Sequence, residues 1–159
     1  MQIQIITIGK IREAYLKEGI EVYRRRLAPW HTLLMTELQE ERIAEKCSAA
    51  EKQRGKEKEG ERLIAAAPDT TFAIALDPEG ELLSSPELAA RMTQCELKGQ
   101  GNVSFFIGGP LGLSPAVTGH ANLVLSLSRM TFPHQLVRLI LIEQIYRAAC
   151  ISRGIPYHK

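Results

Sequence analysis

Apolar positions along the chain alternate between a period of two and a period near 3.6, and their order predicts the elements. QIQIITIG (2–9) alternates and is rich in Ile, which predicts a first strand ending at Gly9. In residues 12–27, Tyr15, Leu16, Ile20, Tyr23 and Leu27 recur near helical spacing, so an amphipathic helix is expected up to Pro29. HTLLMTEL (31–38) reads as a second strand, and EKQRGKEKEGERLIAAA (51–67) as a solvated helix laced with i,i+4 charge pairs. TFAIALD (71–77) is nearly continuous in apolar residues, as a strand covered on both faces would be. A loop, PEGELL, should follow it. Ser85 and Pro86 are expected to open a helix running to about Leu97. NVSFFIGG (102–109) predicts a fourth strand, Ser114-Pro115 a short helix, and NLVLSLS (122–128) a fifth strand. A long apolar helix is expected from about Pro133 to Ser152. Strands alternating with helices imply an α/β domain with a mostly parallel sheet and helices on both faces. With no internal repeat or low-complexity linker, 1–159 is expected to be one domain.

Composition narrows the class. A content of 45% hydrophobic and 24% charged residues is ordinary for a globular chain. No apolar run approaches the roughly 20 residues of a membrane helix, and no leader pattern follows Met1, so a cytoplasmic protein without membrane contact is expected. Cys47, Cys95 and Cys150 are odd in number and widely spaced. They fit inert thiols in a reducing compartment rather than a disulfide framework or a zinc site. Charge is unevenly spread. Residues 1–97 hold 14 Lys and Arg against 17 acidic residues, a net of −3. Residues 98–159 hold six (Lys98, Arg129, Arg138, Arg147, Arg153, Lys159) against Glu143 alone, a net of +5. Such a half suits a polyanion such as nucleic acid, or else its arginines merely solvate a surface.

Chemistry in an open α/β sheet gathers beyond the carboxyl ends of strands. Three such ends stand out: LDPEG after the third strand, IGGPLG after the fourth, and SRMTFPH after the fifth. Gly108, Gly109 and Gly112 let a ligand approach the backbone. Their spacing matches neither the dinucleotide fingerprint nor the P-loop, and there is no nucleophile elbow. His31, His120, His134 and His158 lie far apart, so no metal site is expected. The junction SRMTFPHQLVR (128–138) is odd for a connector, which would more usually be built from Gly, Asn, Asp and Ser.

In combination, VSFFIGGPLGLSP, LSLSRMTFPHQLVRLILIEQIYRA and the terminal PYHK resemble the SPOUT, or α/β-knot, class of S-adenosylmethionine-dependent RNA methyltransferases. Within that class they resemble the small family that methylates a pseudouridine of bacterial large-subunit ribosomal RNA. The likeness runs the length of the chain, with the charged 39–62 region more variable and of unassigned role. The resemblance implies a C-terminal trefoil knot, a fold feature too rare to be read from periodicity. It also implies S-adenosylmethionine as cofactor, 23S ribosomal RNA or the ribosome as partner, methylation at ring N3 of the pseudouridine, and a homodimer. Carried across by motif, Leu76, Gly108, Leu127, Ser128, Arg129, Met130, Thr131 and Phe132 would hold the cofactor. The odd junction would then be a ligand wall.

Methyl transfer from a sulfonium is an in-line displacement that needs no metal, so alignment supplies most of the rate. The target ring nitrogen carries a proton that must leave, which calls for a base or a group that stabilises the anion. Candidates in the basic half are His134, Arg138, Arg147, Tyr157 and His158. Tyr157 and His158 are assigned the catalytic role, because a terminal tail is hard to explain as core. Arg138, Arg147, Arg153 and Lys159 are assigned to the substrate. Leu136–Ile145 is apolar over more than one face, which predicts an identical subunit as a second packing partner. Two other readings stay open: a non-catalytic RNA-binding module of the same fold, and a nucleotide-binding regulatory domain.

Overall fold

The computed structural model describes Met1–Lys159. Ten elements alternate along the chain: β1 (Gln2–Ile8), α1 (Ala14–Leu27), β2 (Thr32–Leu38), α2 (Ala49–Ala65), β3 (Thr71–Leu82), α3 (Ser85–Leu97), β4 (Asn102–Ile107), α4 (Pro115–His120), β5 (Leu123–Ser126) and α5 (His134–Ser152). The strands form one sheet in the order β2-β1-β4-β3-β5, with every pairing parallel. A parallel sheet needs cover on both faces, and strand alternation supplies it. Ile3 and Ile5 of β1 pack with Leu16 and Ile20 of α1, Leu88 and Met92 of α3, and Leu141, Ile142 and Ile145 of α5. Ile6 and Ile8 point the other way, onto Leu63 of α2 and Val117 of α4.

Element boundaries differ from expectation where side chains or partner strands decide them. Helix α2 begins earlier, at Ala49, because Ser48 and Glu51 form a reciprocal capping box. The cap of α3 is Ser84 rather than Ser85: the Ser84 hydroxyl accepts from the Glu87 N–H and the Glu87 carboxylate accepts from the Ser84 N–H. The third strand does not end at Asp77. It continues to Leu82 with a register shift, so that Leu125 of β5 faces both Leu76 and Glu81. Residues 77–80 form an excursion within a strand, and Gly80 sits where a Cβ would come within 2.7 Å of the Val124 carbonyl oxygen. The fifth strand is shorter than expected, leaving Leu127 and Ser128 outside the sheet.

The long helix α5 finds more cover than expected. It packs between α1 and α3, so Leu141, Ile142 and Ile145 are fully buried within the chain while Leu136, Val137, Leu139 and Ile140 are half-buried. Its apolar surplus alone therefore does not demand a second subunit. Cys95 and Cys150 are buried, and Cys47 is partly covered.

Candidate functional site

Beyond the carboxyl ends of β4 and β5, beside the excursion in β3, lies a cavity of about 670 Å³, open mouth included. That size suits a cofactor-sized organic molecule. Leu76, Asp77 and Pro78 form one wall, Ile107–Gly109 with Gly112 and Leu113 a second, and Leu125, Leu127 and Ser128 a third. Met130, Thr131 and Phe132 cross the mouth, and His134 and Val137 at the start of α5 close the remaining side.

Each wall has a local cause. Ile107 is the last residue of β4, and a turn brings the Gly112 N–H to the Gly109 carbonyl at 3.0 Å. Gly112 takes φ +80°, a conformation that favours glycine. At Gly108 a Cβ would lie 2.8 Å from the Gly112 carbonyl carbon, so its missing side chain serves the turn's own packing. Opposite, the Ser128 hydroxyl accepts from the Met130 N–H at 3.0 Å and the Ser128 carbonyl accepts from the Ser126 hydroxyl at 3.1 Å, folding the segment after β5 back on itself. Pro133 caps α5, and the Leu136 and Val137 N–H groups donate to its carbonyl.

Between these two anchors the backbone is unspent. The N–H groups of Leu127, Arg129, Thr131 and Phe132 donate to nothing within the chain, and none of the carbonyls of Leu127 and Arg129–Phe132 accepts. Backbone polar groups seek partners. A segment that bends apolar side chains around a cavity while leaving its amides unpaired can clasp a ligand with both hydrogen-bonding edges and apolar faces, as a nucleoside has. His134 is held neutral by burial, then by the Arg138 charge, against the opposing pull of Glu40.

The cavity brings together Leu76, Gly108, Leu127, Ser128, Met130, Thr131 and Phe132, all expected from the motifs to hold a cofactor. Arg129 points elsewhere: its guanidinium donates to the Pro78 carbonyl at 3.0 Å and stands 3.8 Å from Glu79, tying the loop after β5 to the excursion in β3. Asp77, Pro78, Ile107, Leu113, Leu125, His134 and Val137 also line it without having been assigned to it, and Gly109 and Gly112 are there as glycines that let a ligand approach the backbone. The signal for several of them was present in LDPEG and IGGPLG.

A family model described as "Predicted SPOUT methyltransferase" matches residues 1–158. The chain belongs to the SPOUT methyltransferase family. It is 50% identical, over the full length of both chains, to a ribosomal RNA large subunit methyltransferase H of Carboxydothermus hydrogenoformans. It is 45% identical, again over full lengths, to the protein of the same name from Clostridium acetobutylicum, and 48% identical to a putative one from Methanoregula boonei. Among solved structures, a probable methylase family protein from Haemophilus influenzae superposes with a TM-score of 0.55 at 11% identity. That match covers 99% of this chain and 70% of the other, and it is a likeness of fold.

The remaining expected residues of this SPOUT chain lie outside the cavity. Arg138 is fully buried, with Nη1 3.1 Å from Glu37 Oε1 and Nη2 donating to the Ile8 and Gly9 carbonyls at 2.9 and 3.0 Å. It holds the ends of β1 and β2 to α5 and offers no surface to a phosphate, which corrects its assignment as a substrate contact. Tyr157 donates to Glu143 Oε1 at 3.1 Å and meets Tyr146 edge-on. Tyr23, burial and Glu143 all hold its phenol well above the usual range, so it stays protonated. Arg147 pairs with Glu143 at 2.6 Å, lies over the Tyr157 ring, and reaches His158 Nδ1 at 3.4 Å. Arg153 donates to the Ala149 carbonyl and lies 5.1 Å over the Trp30 ring, whereas Lys159 is exposed. No group of three or more His, Cys, Asp or Glu side chains is placed to hold a metal, and no helix is long and apolar enough to cross a membrane.

Proposed function

We propose that this protein is an S-adenosylmethionine-dependent methyltransferase acting on N3 of a pseudouridine in 23S ribosomal RNA, as a cytoplasmic homodimer with a trefoil-knotted C-terminal half. The observation that carries the reading is the cavity whose crossing segment, Leu127–Phe132, has apolar side chains and unpaired amides. Full-length identity to relatives named as ribosomal RNA methyltransferases supports the substrate class.

Bound S-adenosylmethionine would supply an electrophilic methyl group. The chain's own residues supply the rest. Unpaired N–H and C=O groups of Leu127, Thr131 and Phe132 are suited to the edge of an adenine, and Leu76, Leu125 and Val137 to its faces and to excluding water. The neutral His134 imidazole stands in the cavity wall without adding positive charge beside a sulfonium. Of the tail residues assigned to catalysis, Tyr157 keeps its proton and suits hydrogen-bond donation to a developing anion. His158, whose ring Nδ1 stands 3.4 Å from Arg147 Nη1, is the tail residue that offers a basic nitrogen to the N3 proton.

Calorimetry with S-adenosylmethionine, S-adenosylhomocysteine and ATP tests the cofactor: the first two bind and ATP does not. Methyl incorporation into ribosomes carrying the pseudouridine, against ribosomes with uridine there, tests the substrate. Equal incorporation overturns the assigned base, and RNA binding without cofactor binding points to a non-catalytic module.

A further inference from the structure

Resting on the reading of an RNA substrate, we infer that the ribosomal RNA backbone docks not on the arginine-rich C-terminal half but in a groove beside the cofactor cavity, on Lys10, Arg12, Lys17 and Arg42. Phosphate contacts need cations that are exposed and not already neutralised. In the C-terminal half three of the six cations fail that condition. Arg138 is buried on Glu37, Arg147 is paired with Glu143 and Arg129 is bound to Pro78 and Glu79, whereas Lys98, Lys159 and Arg153, which lies over Trp30, are exposed and in no ion pair. Glu37 and Glu79 offset two of the +5 charges, and the rest sits on Lys98, Arg153 and Lys159, none of which lines the cavity or the groove.

The opposite holds where β1 and β2 end. A broad concavity there is lined by Gly9–Arg12, Lys17 and residues 37–43. Its four cations are all exposed and none takes part in an ion pair. Of its three carboxylates, Glu37 is neutralised by Arg138 and Glu41 by Arg62, which leaves Glu40 alone opposing them. Arg42 also borders two adjoining hollows over α2, where Arg54, Lys58 and Arg62 stand among Glu41, Glu51 and Glu61, so the uncompensated positive surface ends at Arg42.

The groove is coupled to the cavity by direct bonds. The Arg12 N–H donates to Gln135 Oε1 at 3.0 Å, and Arg138 holds Gly9 from the helix whose first residue, His134, lines the cavity. A strand of RNA lying on the four cations would therefore pass the cavity's α5 side. The other lysine-rich stretch, on α2, interleaves with Glu51, Glu57 and Glu61. The arginines of α1's last turn include two paired with Glu21.

The test uses full-length protein in which Lys10, Arg12, Lys17 and Arg42 are all changed to Ala. A control variant loses four cations elsewhere (Arg24, Arg25, Arg91 and Lys98). Binding to purified 23S ribosomal RNA is measured across a salt series, with S-adenosylmethionine affinity by calorimetry as the folding check. The groove variant is expected to bind RNA at least tenfold more weakly, with a salt slope shallower by about 3 at roughly 0.7–0.9 per lost phosphate contact. Its cofactor affinity is expected to stay within twofold of wild type. Unchanged RNA affinity and slope in the groove variant would overturn the docking surface while leaving the enzyme reading intact. So would an equal loss in both variants, which would reduce the effect to net charge. Wild-type protein that shows no salt-dependent RNA binding would overturn the substrate reading itself.

Discussion

Burial and pairing set what single ionisable residues do here, and sequence position alone would misassign several of them. Arg138 looks like an exposed cation in a basic half but is the buried tie between α5 and the ends of β1 and β2. Charge was legible in the sequence; whether it was free was not, because its partner Glu37 lies 101 residues away. His31 is buried, and burial chiefly drives its pKa down to about 4, with Glu96 at 3.5 Å pulling the other way. The unfolded chain therefore binds the proton first. This side chain's contribution to stability is intact above pH 6.5 and is lost as pH falls towards 4, about 3 kcal/mol in all at roughly 1.4 kcal/mol per unit. A proton-NMR titration should find its midpoint near 4, and Glu96→Gln should lower it further; a midpoint at the usual value would refute the burial. Glu59 shifts the opposite way. Burial raises its pKa while one oxygen accepts from the Glu41 N–H at 3.0 Å and the other has no partner. The folded state here keeps the proton, so stability falls as pH rises above the ordinary glutamate range. Glu59→Gln keeps the acceptor without the charge. Its melting temperature relative to wild type should rise steadily from pH 4 to 7, and a flat difference would contradict this.

Elements were legible to the extent that local pattern determines them. The Ile alternation of β1 and the run TFAIA of β3 carry their structural meaning in a few adjacent residues, and so do the Ser-x-x-Glu caps of α2 and α3, although the sequence reading set those helix starts at Glu51 and Ser85. The excursion in β3 does not, because it exists only relative to β5, whose Leu125 pairs with two residues five apart. The cavity is similar: its loops were individually visible, but their convergence depends on a strand order that places β3 between β4 and β5. Two glycines show how packing overrides propensity. In α2, Gly60 to Ala would gain about 1 kcal/mol of helix propensity, yet its Cβ would sit 2.3 Å from the Ser114 hydroxyl and 3.0 Å from Val117 Cγ2. The net is expected to be a loss of about 1–3 kcal/mol in chemical denaturation, as overpacking usually costs; a gain would mean α4 yields freely. Gly108→Val meets the backbone of Gly112. It should lose cofactor affinity together with a lower melting temperature, not as a silent change in a rigid pocket. Unaltered melting with lost binding would instead indicate direct ligand contact.

At the scale of the whole molecule, the distance between the cavity and the tail shapes the argument about assembly. The cavity lies at His134, where α5 starts, whereas Tyr157 and His158 fold back onto Glu143 and Arg147. Nine to thirteen residues of helix separate these points, about 13–20 Å at 1.5 Å per residue. A tail docked there does not reach its own chain's cavity. If Tyr157 and His158 act in catalysis, they serve a cavity presented by another copy, and a two-fold pair is the simplest arrangement in which each tail does so. The packing of α5 between α1 and α3 leaves its half-buried residues, with Tyr23, Trp30 and Tyr146 nearby, as the surface such a pair would share. Mixing two inactive proteins decides it. One carries Leu127→Trp, which fills the cavity; the other is truncated before Tyr157. Calorimetry verifies that the first has lost cofactor affinity and the second has kept it. In a composite dimer, a mixed pair holds one site with a sound cavity from one chain and a sound tail from the other. An equal mixture after subunit exchange should then recover about a quarter of the wild-type rate per chain. A mixture no more active than its parents, with exchange demonstrated by mass-tagged subunits, would mean that each chain completes its own site and that the tail must swing from Glu143 to do so.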